Sequence, residues 1–370
     1  MIRARRLCPA CCRKYAPGAF QVVDSRGQPV HEPRSRRAWR AIQRLTGRSG
    51  AELRRHLERL KSGEHFRCPA GHPVSPSFLA YDTFPIALIG PSAASKSTYL
   101  AVLLERLTSR APLRDTHGWT FALDAYSSER FDEVYREPLL REPPSPPAKT
   151  DIVAGAHQPL MVRVTRENAH GDRDTVNLFF FDAAGESYRR VGDVATASPY
   201  LGCMAGALVF ATPVMLHDFP HTFALPAHIE PGTAPTPSFL TQALSNTIAV
   251  RNGALGVPTA LLLAKYDELL PLEQFDPALR AMRENSGVPA RHPGPLTGEQ
   301  AHQASAIAHA VFSRYGRGIL AAADELGLPL QVFAASAMGG PPRPDGRFQT
   351  VAPFGIYEPL AWLLTEIFDR

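Results

Sequence analysis

No apolar run in the 370-residue chain approaches the roughly 18–20 residues that a membrane span requires. The longest candidate, residues 201–216, is short and is broken by Pro213. The opening stretch, MIRARRLCPACC, is basic but has no apolar core behind it, so neither a span nor an export signal is expected, and the cytoplasm is the expected location. Cysteine is scarce. Five occur, too few for a disulfide framework in a chain of this size, and four of them fall within residues 8–68, which points to metal ligation. Acidic residues are scarce in that same region: residues 1–80 carry 17 Lys and Arg against 5 Asp and Glu, and the remainder 23 against 30. A basic N-terminal region is thus set apart from a mildly acidic body, and the boundary is expected near residue 80. A hydrophobic fraction of 44% and a charged fraction of 20% belong to a globular chain with ample material for a core.

Within residues 1–80, Cys8-Pro9-Ala10-Cys11 and Cys68-Pro69-Ala70-Gly71-His72 each form a turn that aims two ligands at one point. Two such knuckles make a closed Cys₃His site of the kind that holds structural zinc, with Cys8, Cys11, Cys68 and His72 as ligands. Cys12 is a spare that competes with Cys11, and Cys203 reads as a buried thiol. Between the knuckles, residues 36–61 read as a helical insert, with Trp39, Ile42 and Leu45 and then Leu53, Leu57 and Leu60 at helical spacing and Arg on the other faces. That basic surface is either simply solvated, which the sparse aromatics favour, or a site for an anion such as nucleic acid or acidic lipid.

The body is organised around residues 86–100, IALIGPSAASKSTYL. A short apolar run ends at Gly90, a loop of small residues leads to Lys96-Ser97-Thr98, and an amphipathic helix follows. This is the layout of a phosphate-binding loop, in which backbone N–H groups face the phosphates, Lys96 reaches the outer phosphate oxygens and Ser97 ligates magnesium. The template G-x-x-x-x-G-K-[ST] is broken at one place: Ser95 stands where the second Gly belongs.

Strands are expected at 119–123, 160–164, 177–182, 205–213, 258–267 and 330–334. Helices are expected around 129–135, over 241–252, over 300–326 with a break near 316–318, and over 357–368, the last capping the sheet. Residues 142–150 form a proline-rich loop, and 217–239 and 271–298 are read as loop inserts. Two strand ends carry chemistry. NLFFFDAAG stops at Asp182, where an outer magnesium ligand belongs, and Gly185 follows in position to present its N–H to a γ-phosphate. PTALLLAKYD ends in Ala264-Lys265-Tyr266-Asp267, close to the [NT]-K-x-D that reads guanine, in which the Asp accepts from the N1 and N2 hydrogens and the Lys stem packs over the ring. Ala264 replaces the Asn. Ser336-Ala337-Met338 then resembles the turn whose backbone contacts the guanine O6.

The order of these motifs resembles that of Ras-like P-loop GTPases over residues 84–370, and most closely the bacterial GTPases of the translation-factor class found beside conflict and signalling systems, including the double-GTPase group. The resemblance implies a three-layer α/β sandwich with a mostly parallel sheet, preceded by a zinc ribbon. It implies GTP or GDP, magnesium and structural zinc as cofactors. Gly90, Ser95, Lys96, Ser97, Thr98, Asp182, Gly185, Lys265, Asp267, Ser336 and Ala337 would bind the nucleotide, and Ser97 and Asp182 the magnesium. Thr150 is the candidate switch threonine. Glu186 stands where many relatives carry the Gln that orients water, and its charge near the γ-phosphate is unfavourable. Arg189 and Arg190 lie nearby, but no Arg stands evidently as a finger in cis, so slow hydrolysis accelerated by a partner protein is expected. Two other readings remain. One is a pseudo-GTPase scaffold whose Ser95, Ala264 and Glu186 have replaced turnover, with the basic ribbon as contact surface. The other is an ATPase, which Ala264 allows and Asp267 disfavours.

Overall fold

The computed structural model describes residues 6–8, 10–16, 19–23, 28, 65–74, 81–147, 159–167, 171, 173–182, 199–216, 236–251, 256–274, 276–289, 291–325 and 330–368. The helical insert at 36–61, Thr150, Gly185, Glu186, Arg189, Arg190 and most of the loop at 217–239 lie outside these residues.

In chain order the elements are β1 (Arg6–Leu7), β2 (Lys14–Tyr15), β3 (Gln21–Val23), β4 (His65–Arg67), β5 (Pro73–Val74), β6 (Asp82–Ile89), α1 (Lys96–Arg110), β7 (Trp119–Leu123) and α2 (Ala125–Phe131). There follow β8 (Leu160–Glu167), β9 (Arg173–Asp182), β10 (Gly206–Ala211), α3 (Pro237–Val250), β11 (Thr259–Ala264), α4 (Pro277–Ser286), α5 (Gly298–Tyr315), α6 (Arg317–Glu325), β12 (Leu330–Ala335) and α7 (Glu358–Phe368).

Among the described residues, seven strands form the central sheet in the order β12-β11-β10-β6-β9-β8-β7. The first five are mutually parallel, and β8 pairs antiparallel with both β9 and β7. The inner strands are apolar at nearly every position because helices cover both faces. The two-residue side-chain period sorts them cleanly. Ile86, Leu88, Leu178, Phe180, Leu208, Phe210 and Leu262 pack with Leu100, Leu104 and Leu107 of α1 and Leu360, Leu363 and Leu364 of α7. Ala87, Ile89, Phe179, Phe181, Val209, Leu261 and Leu263 point the other way, toward Leu240 and Leu244 of α3 and Val311 and Phe312 of α5. The C-terminal helix thus caps the sheet, and the α/β sandwich read from the sequence is the fold observed.

Two helical expectations need correction. α3 begins at Pro237 rather than at residue 241, because Pro is at home in a first turn and the Thr236 hydroxyl accepts from the Phe239 N–H at 3.2 Å. The insert at 271–298 is not purely loop: it contains α4. Asp276 caps that helix by accepting from the Ala278 and Leu279 N–H groups at 2.9 and 3.4 Å, and Gly287 ends it at φ 67°.

The N-terminal region is built from hairpins. β1 and β2 pair antiparallel, as do β3, β4 and β5 in turn, and the two Cys knuckles lie at the β1–β2 and β4–β5 turns. Strands of two or three residues do not hold together on their own. Here Phe20, Phe66 and Val74 are buried in the same cluster as Phe181, Tyr200 and Met204 of the body. An ion pair between Arg6 and Asp82 ties β1 to the first strand of the central sheet.

Candidate functional site

Parallel pairing brings the carboxyl ends of five strands to one edge, the usual position for ligands in such sheets. The register opposes Leu88 to Asp182, Ile89 to Val209 and Ala264 to Ala335. The loop after β6 therefore lies beside Asp182 on one side and, across β10, faces the ends of β11 and β12.

The loop from Gly90 to α1 has the backbone that phosphate cradles require. A Cβ on Gly90 would meet the Phe210 carbonyl oxygen at 2.9 Å, so only glycine fits where β6 leaves the sheet. Ser95 adopts φ 62°, ψ 23°, the left-handed conformation a second Gly would supply freely, and Ala93 adopts φ 61°. The departure at Ser95 thus costs backbone strain but leaves the loop's path intact. α1 starts at Lys96 without a side-chain cap, so its first-turn N–H groups and positive dipole end point into the cradle. Lys96 is 6% exposed, and its ammonium donates to the Gly90 and Pro91 carbonyl oxygens, both at 2.9 Å, folding over the loop. Ser97 is half-buried in the first turn, and Thr98 is buried behind it. Ser95→Gly is expected to stabilise the fold by about 0.5–1 kcal/mol, the relief of left-handed strain less the greater unfolded-state freedom of Gly. Urea unfolding of the two proteins measures the difference.

Asp182 is half-buried at the end of β9, and the Tyr135 hydroxyl donates to its Oδ2 at 3.4 Å. Burial, and then the Asp182 charge, push the Tyr135 phenol well above its ordinary range, so it remains a donor. Tyr135 belongs to a π-helical turn, residues 132–136, that continues α2, and Arg130 lines the same crevice as Tyr135 and Asp182. Sequence reading missed both residues, since no motif marks a helix whose side chains meet the end of a distant strand.

At the other end of the row, Lys265 leaves β11 in the left-handed conformation, φ 58°, and its ammonium lies 3.7 Å from Glu268. Asp267 is 6% exposed and accepts from the Ser336 hydroxyl, which in turn accepts from the Gly339 N–H at 2.9 Å. The loops after β11 and β12 are thereby locked together, with Ala337 buried beside them. Gly339 makes this possible at φ 81°, where a Cβ would strike the Ala352 carbonyl oxygen at 2.0 Å. Of the residues expected at the site, those described lie along this one edge, and Thr150, Gly185 and Glu186 are outside the described residues.

The second constellation is the Cys/His cluster. The donor atoms of Cys8, Cys11, Cys68 and His72 all lie within 4.8 Å of one another. Local turns put them there: the Cys12 N–H donates to the Cys8 carbonyl, and the Gly71 N–H to the Cys68 carbonyl at 2.8 Å. Three sulfurs and one imidazole nitrogen, half of them buried, are a donor set suited to a tetrahedral soft-ligand metal site. Burial pushes the Cys8 thiol up. At Cys11 burial acts the same way, but hydrogen bonds from Tyr15 and the Arg13 backbone outweigh it and leave the thiol below its ordinary value. Cys12 is not in the cluster. At φ 53° its side chain turns toward Cys203, close enough for each thiol to shift the other's ionisation, and the Cys203 thiol donates to the Tyr200 carbonyl at 3.3 Å. Cys203 is only half-buried, and this proximity places both of the cysteines that the Cys/His cluster leaves over.

A phosphate cradle after the first parallel strand, with an acidic strand end beside it, defines a P-loop nucleotide-binding domain. Residues 85–212, from within β6 to just past β10, match the family model described as Double-GTPase 2, which supports a P-loop GTPase of the double-GTPase type. No curated protein matches the chain. The base-side residues Lys265, Asp267 and Ser336 lie beyond the matched stretch.

Proposed function

We propose that the protein is a magnesium-dependent GTP-binding switch that hydrolyses GTP slowly, acts in a bacterial conflict or signalling system in the cytoplasm, and carries a structural zinc in its N-terminal ribbon. The observation that carries the guanine reading is the Ser336–Asp267 hydrogen bond. It holds a buried carboxylate at the strand edge where the base would sit, and a carboxylate pairs with the N1 and N2 hydrogens of guanine, a donor pair absent from that edge of adenine. Lys96 and the first-turn N–H groups of α1 would take the β- and γ-phosphates. Ser97 and Asp182 would hold a magnesium ion, which would supply charge neutralisation of the phosphates. Lys265 would lay its stem along the base. Thr150 and Gly185 would sense the γ-phosphate, and a protein effector would read the difference between the GTP and GDP states.

Equilibrium binding of fluorescent GTP, GDP and ATP analogues with magnesium, followed by phosphate release, tests this reading. Guanine-selective binding with slow turnover is the expected result. For Asp267→Ala, GTP affinity is expected to fall by about 10²-fold or more, the cost of unpairing buried polar groups on the base, while any ATP affinity stays level. Equal loss for both nucleotides would take Asp267 out of base reading. Binding without turnover would point to the scaffold reading, which Ser95 and Ala264 favour.

A further inference from the structure

A cavity of about 240 Å³ is bounded by β12, the start of α5 and the loop before it, α7, and the segment between α1 and β7. It shares no lining residue with the phosphate loop or with Asp182, Lys265, Asp267 and Ser336. Its volume is just below the roughly 300–1,000 Å³ of sites for drug-sized molecules, so it suits a smaller one. The walls are mostly apolar and aromatic. Leu113, Leu296 and Phe333 are buried there, and the Trp362 ring lies 6.1 Å from that of Phe333.

The sequence places a carboxylate among these walls. Glu358 opens α7, lines the cavity and is only 6% exposed. Its Oε1 accepts from the Leu296 N–H at 3.1 Å, which holds the side chain in place. Its Oε2 is buried and has no hydrogen-bond partner among the described residues. Burial pushes this carboxyl above its ordinary value, and nearby N–H groups and the His292 imidazole only partly offset that. No Lys or Arg is among the lining residues, and burial pushes the His117 imidazole below its ordinary value, toward its neutral form. A buried carboxylate with acceptor capacity to spare is costly to leave alone. The tether to Leu296 and the start of α7 explain one oxygen and not the other.

We propose that this cavity is a binding site for a small organic cation, a protonated amine carried on an apolar or aromatic body. Its ammonium donates to the Glu358 carboxylate, and its body packs against Trp362, Phe333 and Leu113. The carboxylate supplies a charge-assisted hydrogen bond, and the aromatic faces favour a cation beside them. The site is independent of the nucleotide reading above.

Calorimetric titration of the full-length protein with benzylamine, benzyl alcohol and phenylacetate tests this, since the three probes share a ring and differ in charge. Benzylamine is expected to bind at a single site, about tenfold or more tighter than benzyl alcohol, with phenylacetate excluded. Glu358→Gln keeps the shape and removes the charge. It is expected to lose about tenfold or more in benzylamine affinity while benzyl alcohol stays nearly level. Because Glu358 also starts α7, the melting temperature of this variant is read alongside. Ala301→Leu, on the α5 wall, leaves Glu358 in place and fills the cavity; it is expected to abolish benzylamine binding with the melting temperature nearly unchanged. No benzylamine binding to wild type, as when a water alone completes Glu358, would overturn the proposal. So would equal affinity for the three probes, or benzylamine binding that survives Ala301→Leu.

Discussion

Lys96→Ala is expected to weaken GTP binding by about 10²–10³-fold and to abolish measurable phosphate release. In the structure the Lys96 ammonium is already desolvated, 6% exposed, and held by the carbonyls of Gly90 and Pro91. The cost of removing it from water has therefore been met in folding, and an incoming phosphate exchanges neutral carbonyl partners for charged ones. Removing one member of a buried, hydrogen-bonded charge pair costs about 2–5 kcal/mol, and each 1.4 kcal/mol is tenfold in affinity. The first-turn N–H groups of α1 remain and account for residual binding. Titration with a fluorescent GTP analogue measures the loss, and far-UV circular dichroism checks that the fold is kept. Unchanged affinity in a folded variant would mean that phosphates bind elsewhere.

Removing the metal from the Cys/His cluster is expected to have the largest effect on stability. Cys8 and Cys68 are 0% and 3% exposed, and strands β1 to β5 have two or three residues each, so among the described residues little besides the cluster and the contact with the body holds this region. Structural zinc in small domains supplies roughly 10–16 kcal/mol of apparent binding free energy, which there is folding free energy. The purified protein is expected to carry one zinc per chain. Cys68→Ser, or a strong chelator, is expected to release it and unfold the ribbon. Because Phe66 and Phe20 share a buried cluster with Phe181 and Tyr200, and Tyr200 stacks on Phe181 at 4.0 Å just before Asp182, the loss is expected to loosen the body beneath the ribbon. Metal analysis and hydrogen exchange over residues 6–23, 65–74 and 199–216 report both effects. Cys12→Ser and Cys203→Ser are expected to keep the zinc. A metal-free preparation with the same melting temperature and exchange pattern would remove zinc from the description.

Much of the architecture was legible because it is written in short-range patterns. β6, β9, β10 and β11 are apolar runs that end at Gly90, Asp182, Thr212 and Lys265, and each end is where a loop of different composition begins. The phosphate loop was recognisable despite Ser95, since the other residues demand the same backbone, and Ser95 adopts the left-handed conformation the missing Gly would have had. The Cys/His cluster was legible because each knuckle is a local turn. α4 was legible in principle, with Asp276 before it, Pro277 in its first turn and Gly287 after it, but its polar composition and the prolines around it hid the helical period.

The amino-acid sequence by itself determined the class of the fold, the backbone of the loop after β6, the acidic strand end and the two Cys/His knuckles, because each depends on residues a few positions apart. Only the tertiary structure decided which distant residues meet. Tyr135 reaches Asp182, and Arg130 lines the same crevice, because α2 packs on β8 and its π turn on α1, beside the end of β9. Ser336 reaches Asp267 because β12 lies beside β11 in one register. Cys12 meets Cys203 because the ribbon docks on the turn before β10. Such pairings depend on how whole faces pack and on which strands neighbour each other, and those are properties of the assembled core rather than of any one segment.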